Sequence, residues 1–69
     1  MALIYKINVL EALKQKGITT YSLRKDKVLS ESTIQKLRDG VGVSWENLET
    51  LCRLLDCDIS DIVVFEKDN

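Results

Sequence analysis

The sequence predicts an all-α fold built of short helices, on three observations. Apolar residues recur at helical spacing in several separate short windows. Glycine closes some of these windows, and a Ser, Thr or Asp able to accept from free backbone amides opens others. The composition, 45% apolar and 30% charged with no proline and a net charge of −1, is that of a chain able to bury a core. At 69 residues there is material for one small core and none for a second, so residues 1–69 read as a single domain.

The first window holds Ile7, Leu10 and Leu13 at spacings of three, with Lys6, Glu11, Lys14 and Lys16 on other faces. It predicts a helix from about Tyr5 to Lys16, stopped by Gly17. Ile18 follows as an apolar anchor. Thr19 or Thr20 then opens a two-turn helix through Tyr21, Leu23 and Lys25 to about Lys27. After the apolar link Val28-Leu29, Ser30 is an N-cap candidate with Glu31 in the first turn, where the helix dipole favours an acid. This third helix runs from about Glu31 to Arg38 and stops before Gly40.

Only Ile34 and Leu37 are inward apolar residues there. Glu31, Ser32, Gln35, Lys36 and Asp39 give water a face rich in hydrogen-bonding groups. Ser44 caps a fourth helix whose inward face is Leu48, Leu51, Cys52 and Leu55, closed by Asp56 to Asp58. Ile59 is a further anchor, and Ser60 is expected to cap a last turn of Asp61, Ile62 and Val63. The ends, Leu3-Ile4-Tyr5 and Val64-Phe65-Glu66, have strand propensity. They read either as extended tails or as a short pairing, within one chain or across a dimer.

Several function classes are disfavoured. With no histidine, the commonest general base is missing, no serine or cysteine has an identifiable activating partner, and no glycine-rich phosphate loop follows a strand, so an enzyme is not expected. Cys52 and Cys57 supply two soft ligands where a structural zinc site wants four, so no metal or other cofactor is expected. Nor is a disulfide, since residues five apart on a helix point to different faces. Both read as small hydrophobes. The longest apolar runs, Met1 to Ile4 and Ile62 to Phe65, are far short of a membrane span, and no signal-like segment precedes them, so a cytoplasmic protein is expected.

Charge is segregated along the chain. Residues 1–43 carry eight cations against four acids, a net +4, and residues 44–69 carry two cations against seven acids, a net −5. The basic half contains the two short helices joined at Val28-Leu29-Ser30. A two-turn helix, a tight link and a second short helix with a polar outer face is what a helix-turn-helix requires, here about residues 20–38. Leu23 braces the pair so that the start of the second helix can reach base edges in a major groove ~12 Å wide.

At this point the residues resemble a known family. Leu23, Leu29, Ser30, Thr33, Ile34 and Leu37, then a glycine-containing loop, Leu48, Leu51-Cys52, Leu55-Asp56-Cys57 and Asp61-Ile62 look like the lambda-repressor-like DNA-binding domain, Cro type, XRE family. The likeness covers about Ile7 to Phe65 and is closest to the small stand-alone bacterial and phage regulators. It implies a compact five-helix bundle that binds double-stranded DNA sequence-specifically through its third helix and regulates transcription; with no separate effector domain in the sequence, no small-molecule effector is expected. Position by position it assigns base-edge roles to Glu31, Ser32, Gln35 and Lys36, and phosphate roles to Thr20, Tyr21, Arg38 and Ser44. Gln35 can pair bidentately with adenine, and Glu31 can accept from a cytosine amino group.

Two positions depart from the family pattern. Val28 stands where the turn usually has glycine, so the turn either shifts onto Lys27 or takes another geometry. Arg24 stands where a small residue often lets the helices approach, and its stem has to lie along the surface. Trp45 is expected to cover the edge of the core. Two copies on adjacent half-sites are expected, meeting through Ile4, Tyr5, Val63, Val64 and Phe65. The alternative is a protein-binding adaptor on the same fold that does not bind DNA, suited to the acidic half and the pI near 5.3.

Overall fold

In a computed structural model, which describes residues 2–67, the element order is β1 (Ala2–Tyr5), α1 (Val9–Gln15), α2 (Thr20–Lys25), α3 (Glu31–Asp39), α4 (Trp45–Leu55), a 3-10 turn (Ile59–Asp61) and β2 (Val63–Glu66). Met1, which opens the first apolar run, lies outside the described residues. The described residues thus form four α-helices and a 3-10 turn with a two-stranded sheet, rather than an all-α bundle of five helices, and of the readings of the two ends the short pairing within one chain is the one found.

The termini account for the difference. β1 and β2 pair antiparallel within the chain, Leu3 opposite Phe65, Ile4 opposite Val64 and Tyr5 opposite Val63. Opposed residues share a face, so Tyr5 and Val63 turn toward the core with Leu3 and Phe65 beyond them, while Ile4 and Val64 look the other way. Drawing Tyr5 into the strand shortens the first helix from the expected Tyr5–Lys16. It starts after Asn8, whose side chain accepts from the Glu11 amide at 3.1 Å. Ile7 is consequently exposed, and Val9 joins Leu13 as its buried pair.

All four α-helices end in the same way. A residue with positive φ, at Gly17, Lys27, Gly40 and Asp56, reverses the backbone, and the next residue's N–H returns to the carbonyl five residues back. These bonds, Ile18 to Leu13, Val28 to Leu23, Val41 to Lys36 and Cys57 to Cys52, measure 2.8–3.1 Å. Lys27, at φ 55°, takes the left-handed position between α2 and α3, which leaves Val28 in an ordinary conformation. The same motif corrects the cysteine geometry. Cys57 is not on the helix of Cys52 but folds back over its last turn, both half-buried as free thiols, and burial pushes the Cys57 thiol up.

The core is Val9, Leu13, Leu23, Leu29, Ile34, Leu37, Leu51, Leu55 and Ile62, with every α-helix contributing at least one residue. Leu48 and Cys52, expected inward, pack at its margin. Ile62, fully buried, fastens the C-terminal segment, and its carbonyl accepts from the Lys6 amide at 2.7 Å. The last turn is capped at Asp58, whose N–H donates to Asp61 Oδ2, not at Ser60. Ile59 is exposed instead of anchoring. Trp45 does not cover the core, being 89% exposed at the first position of α4.

Candidate nucleic-acid interface

Thr19 and Ser22 fix where α2 begins, and the left-handed Lys27 fixes where it ends. The Thr19 hydroxyl accepts from the Ser22 amide and the Ser22 hydroxyl accepts from the Thr19 amide, each at 3.1 Å. Thr20 is then the first helical residue and half-buried, and Tyr21 stands 70% exposed beside it. α3 begins at Ser30, whose hydroxyl accepts from the Thr33 amide at 3.2 Å. Ile34 and Leu37 bury its inner stripe, which leaves Glu31, Ser32, Gln35, Lys36, Arg38 and Asp39 exposed on the outside. Neither strand covers that face, since its outer residues are exposed and the two strands pair with each other.

The outer side chains of α3 are already engaged with one another. Glu31 meets Arg24 Nε at 3.0 Å, which is where the long side chain at this α2 position goes. Gln35 donates through Nε2 to Asp39 Oδ1 at 3.0 Å and accepts from Arg38 at 3.2 Å. The acids on this face are thus each held by a neighbour. Lys36, together with Lys25 and Lys27 near the link, remains exposed.

Ser44 caps α4 by accepting from the Asn47 amide at 3.2 Å, so the starts of α3 and α4 are built alike. A polar bridge joins them. Asn47 Nδ2 donates to Thr33 Oγ1 at 3.1 Å, and Thr33 Oγ1 shares a 2.9 Å hydrogen bond with Ser30 Oγ, which in turn lies 3.1 Å from Ser32 Oγ. Thr33, 7% exposed, is the buried polar residue among those described, and its hydroxyl has partners on both α4 and the start of α3. Sequence reading missed Asn47 and gave Thr33 no bonding role. The signal available was a Ser-x-x-Thr pattern at the start of α3 and a Ser-x-x-Asn pattern at the start of α4, which shows each cap but not that the two meet.

Together, a braced two-helix unit with a polar, uncovered second helix and helix starts on either side define a helix-turn-helix DNA-binding module. A family comparison specifies which kind. Residues 8–68 match the model of the Cro/C1-type HTH DNA-binding domain, and the chain belongs to that family. Comparisons with curated proteins and with solved structures gave no match. Among the described residues, no helix is long and apolar enough to cross a membrane.

Proposed function

We propose that residues 1–69 act as one sequence-specific transcriptional regulator that places α3 in the major groove of double-stranded DNA. The observation that carries this reading is the uncovered polar face of α3 in a chain of the Cro/C1-type family. Ser32, Gln35 and Lys36 are its base-reading candidates. Glu31 joins them only by giving up Arg24, which then becomes a further phosphate ligand. Thr20 and Tyr21 at the start of α2, Arg38, and Ser44 at the start of α4 are the phosphate contacts. Gln35 can pair with adenine after exchanging two exposed intrahelical bonds, each worth a few tenths of a kcal/mol, ~0.2–0.5.

One such module covers ~600–1,000 Å² of its own surface, so two copies on half-sites ~34 Å apart are required for tight binding. Of the residues expected at the contact, Tyr5 and Val63 are half-buried within the chain, so Ile4, Val64 and Phe65 are the ones free to meet a partner. The reading is tested by selecting bound sites from random duplexes, repeated with Gln35→Ala. An enriched motif that relaxes at one position supports it, and no enrichment overturns it.

A second reading has an observation of its own. Leu3, Trp45, Leu48, Cys52, Ile59 and Val63, with Glu49, line a mostly apolar groove of about 440 Å³ that includes no residue of α3, as a protein-docking adaptor would need. Salt separates the two, because several phosphate contacts make affinity fall steeply between low and moderate salt and an apolar docking surface does not.

A further inference from the structure

A second apolar stripe runs along α4, apart from the one that meets the core. Trp45, Leu48 and Cys52 recur at i, i+3 and i+7, which puts them on one side of the helix, while Leu51 and Leu55 carry the buried side. Leu3 and Val63 of the ribbon and Ile59 of the 3-10 turn complete the groove that this stripe lines. Its rim is uncovered. Trp45 is 89%, Leu3 73%, Phe65 49% and Ile59 44% exposed, and Phe65 belongs to this side because it opposes Leu3 in the ribbon. An aromatic side chain alone can cover ~150–250 Å², so these four with the groove walls supply most of the ~800 Å² that each partner gives to a standard interface.

We propose that this surface is where two copies of the chain meet, related by a two-fold axis, with Trp45 of each copy seated in the groove of the other. The proposal rests on the two-copy part of the reading above and narrows its contact, keeping Phe65 and leaving Ile4 and Val64 on the other face of the ribbon. Three features favour a second copy as the occupant. A two-fold contact needs knob and hole on one surface, and here the protruding indole stands at the edge of a groove of about 440 Å³, within the ~300–1,000 Å³ of cavities that take whole small molecules. The charged residue of the lining, Glu49, is already paired with Arg53 one turn on, so what fits against the groove is an apolar surface such as the groove's own rim. No residue of α3 lines it, so both copies keep their reading helices uncovered when it closes.

The test uses the full chain without DNA, over a range of concentrations. Sedimentation is expected to show the mass doubling as concentration rises. Emission from Trp45, the chain's one tryptophan, is expected to shift to the blue over the same range, and alkylation of Cys52 to slow while Cys57, outside the groove lining, keeps its rate. Trp45→Ala removes an exposed side chain and is expected to weaken self-association ~30-fold or more, the share of an interface hot spot. Val64→Lys, on the other face of the ribbon, is expected to leave it unchanged. Melting curves establish that each variant is folded at the temperature used. A wild type that stays monomeric throughout overturns the proposal and leaves the groove to a different protein. Trp45→Ala associating like the wild type, or Val64→Lys losing as much as Trp45→Ala, also overturns it and moves the contact to the ribbon's other face. With no DNA present these outcomes leave α3 aside, and a wild type that selects no duplex overturns the DNA reading instead.

Discussion

Arg24 and Glu31 show how one pair of side chains settles a question that sequence leaves open. The guanidinium lies along the surface and meets the carboxylate at 3.0 Å, with both partners well exposed, so the pair contributes little to stability, about 0–1 kcal/mol. Its larger effect is on charge, since Glu31 neutralises a cation beside the proposed reading face. Glu31→Gln is expected to leave the melting temperature nearly unchanged and to tighten binding to any duplex by freeing Arg24, as a filter-binding or fluorescence titration would measure. Weaker binding at one base position alone would instead make Glu31 a cytosine reader. Tyr5 is a second case. Its hydroxyl donates to the Val41 carbonyl at 2.7 Å, and partial burial raises its pKa above the ordinary value near 10. A raised acid favours its neutral form in the fold, so this stability is intact below about pH 10 and is lost as pH rises through the folded value. Tyr5→Phe is expected to cost about 0.5–1.5 kcal/mol at neutral pH and to flatten the alkaline part of the melting profile. None of these side-chain pairings was legible in the sequence, because each joins residues from different elements or turns whose spacing is not periodic.

At the scale of elements, the helices were legible where caps and apolar stripes agree. Ser30 and Ser44 begin α3 and α4 as their sequences imply, and Gly17 and Gly40 end α1 and α3. Reading failed where a tertiary contact overrides local propensity. Residues 5–8 can continue a helix, yet the strand pairing of Tyr5 with Val63 takes them out of it. Trp45 follows a cap and is apolar, but the first position of α4 points away from the core, which its sequence cannot reveal. The link between α2 and α3 was legible only as two alternatives, and Lys27 supplies the left-handed residue. A non-glycine there is strained by roughly 1–2 kcal/mol, less the entropy glycine loses on folding. Lys27→Gly is therefore expected to stabilise the chain by about 1 kcal/mol in thermal unfolding. Destabilisation would mean that the Lys27 stem packs against the pair in a way its exposure does not suggest.

The whole molecule separates two tasks along one short chain. The basic half carries α2 and α3, and the acidic half carries α4, the 3-10 turn and β2, whose buried Leu51, Leu55 and Ile62 hold the basic half in place. In so small a core these residues are not expendable. Ile62→Ala is expected to cost ~2–5 kcal/mol, comparable with the whole stability of a small domain, and to loosen the ribbon first. Phe65→Glu, at the exposed end of that ribbon, is expected to leave the monomer folded and to abolish the self-association proposed above, as sedimentation would measure. An unchanged assembly state would contradict the proposed dimer. The central claim is that the outer face of α3 is what this chain offers to DNA. Amide chemical shifts recorded while the selected duplex is titrated in test it most directly. The account predicts changes at Thr20, Tyr21, Glu31 to Arg38 and Ser44, with little effect at Cys52 or Ile59. Changes gathered around Trp45, Cys52 and Ile59 while Ser32 and Gln35 stay still would contradict it.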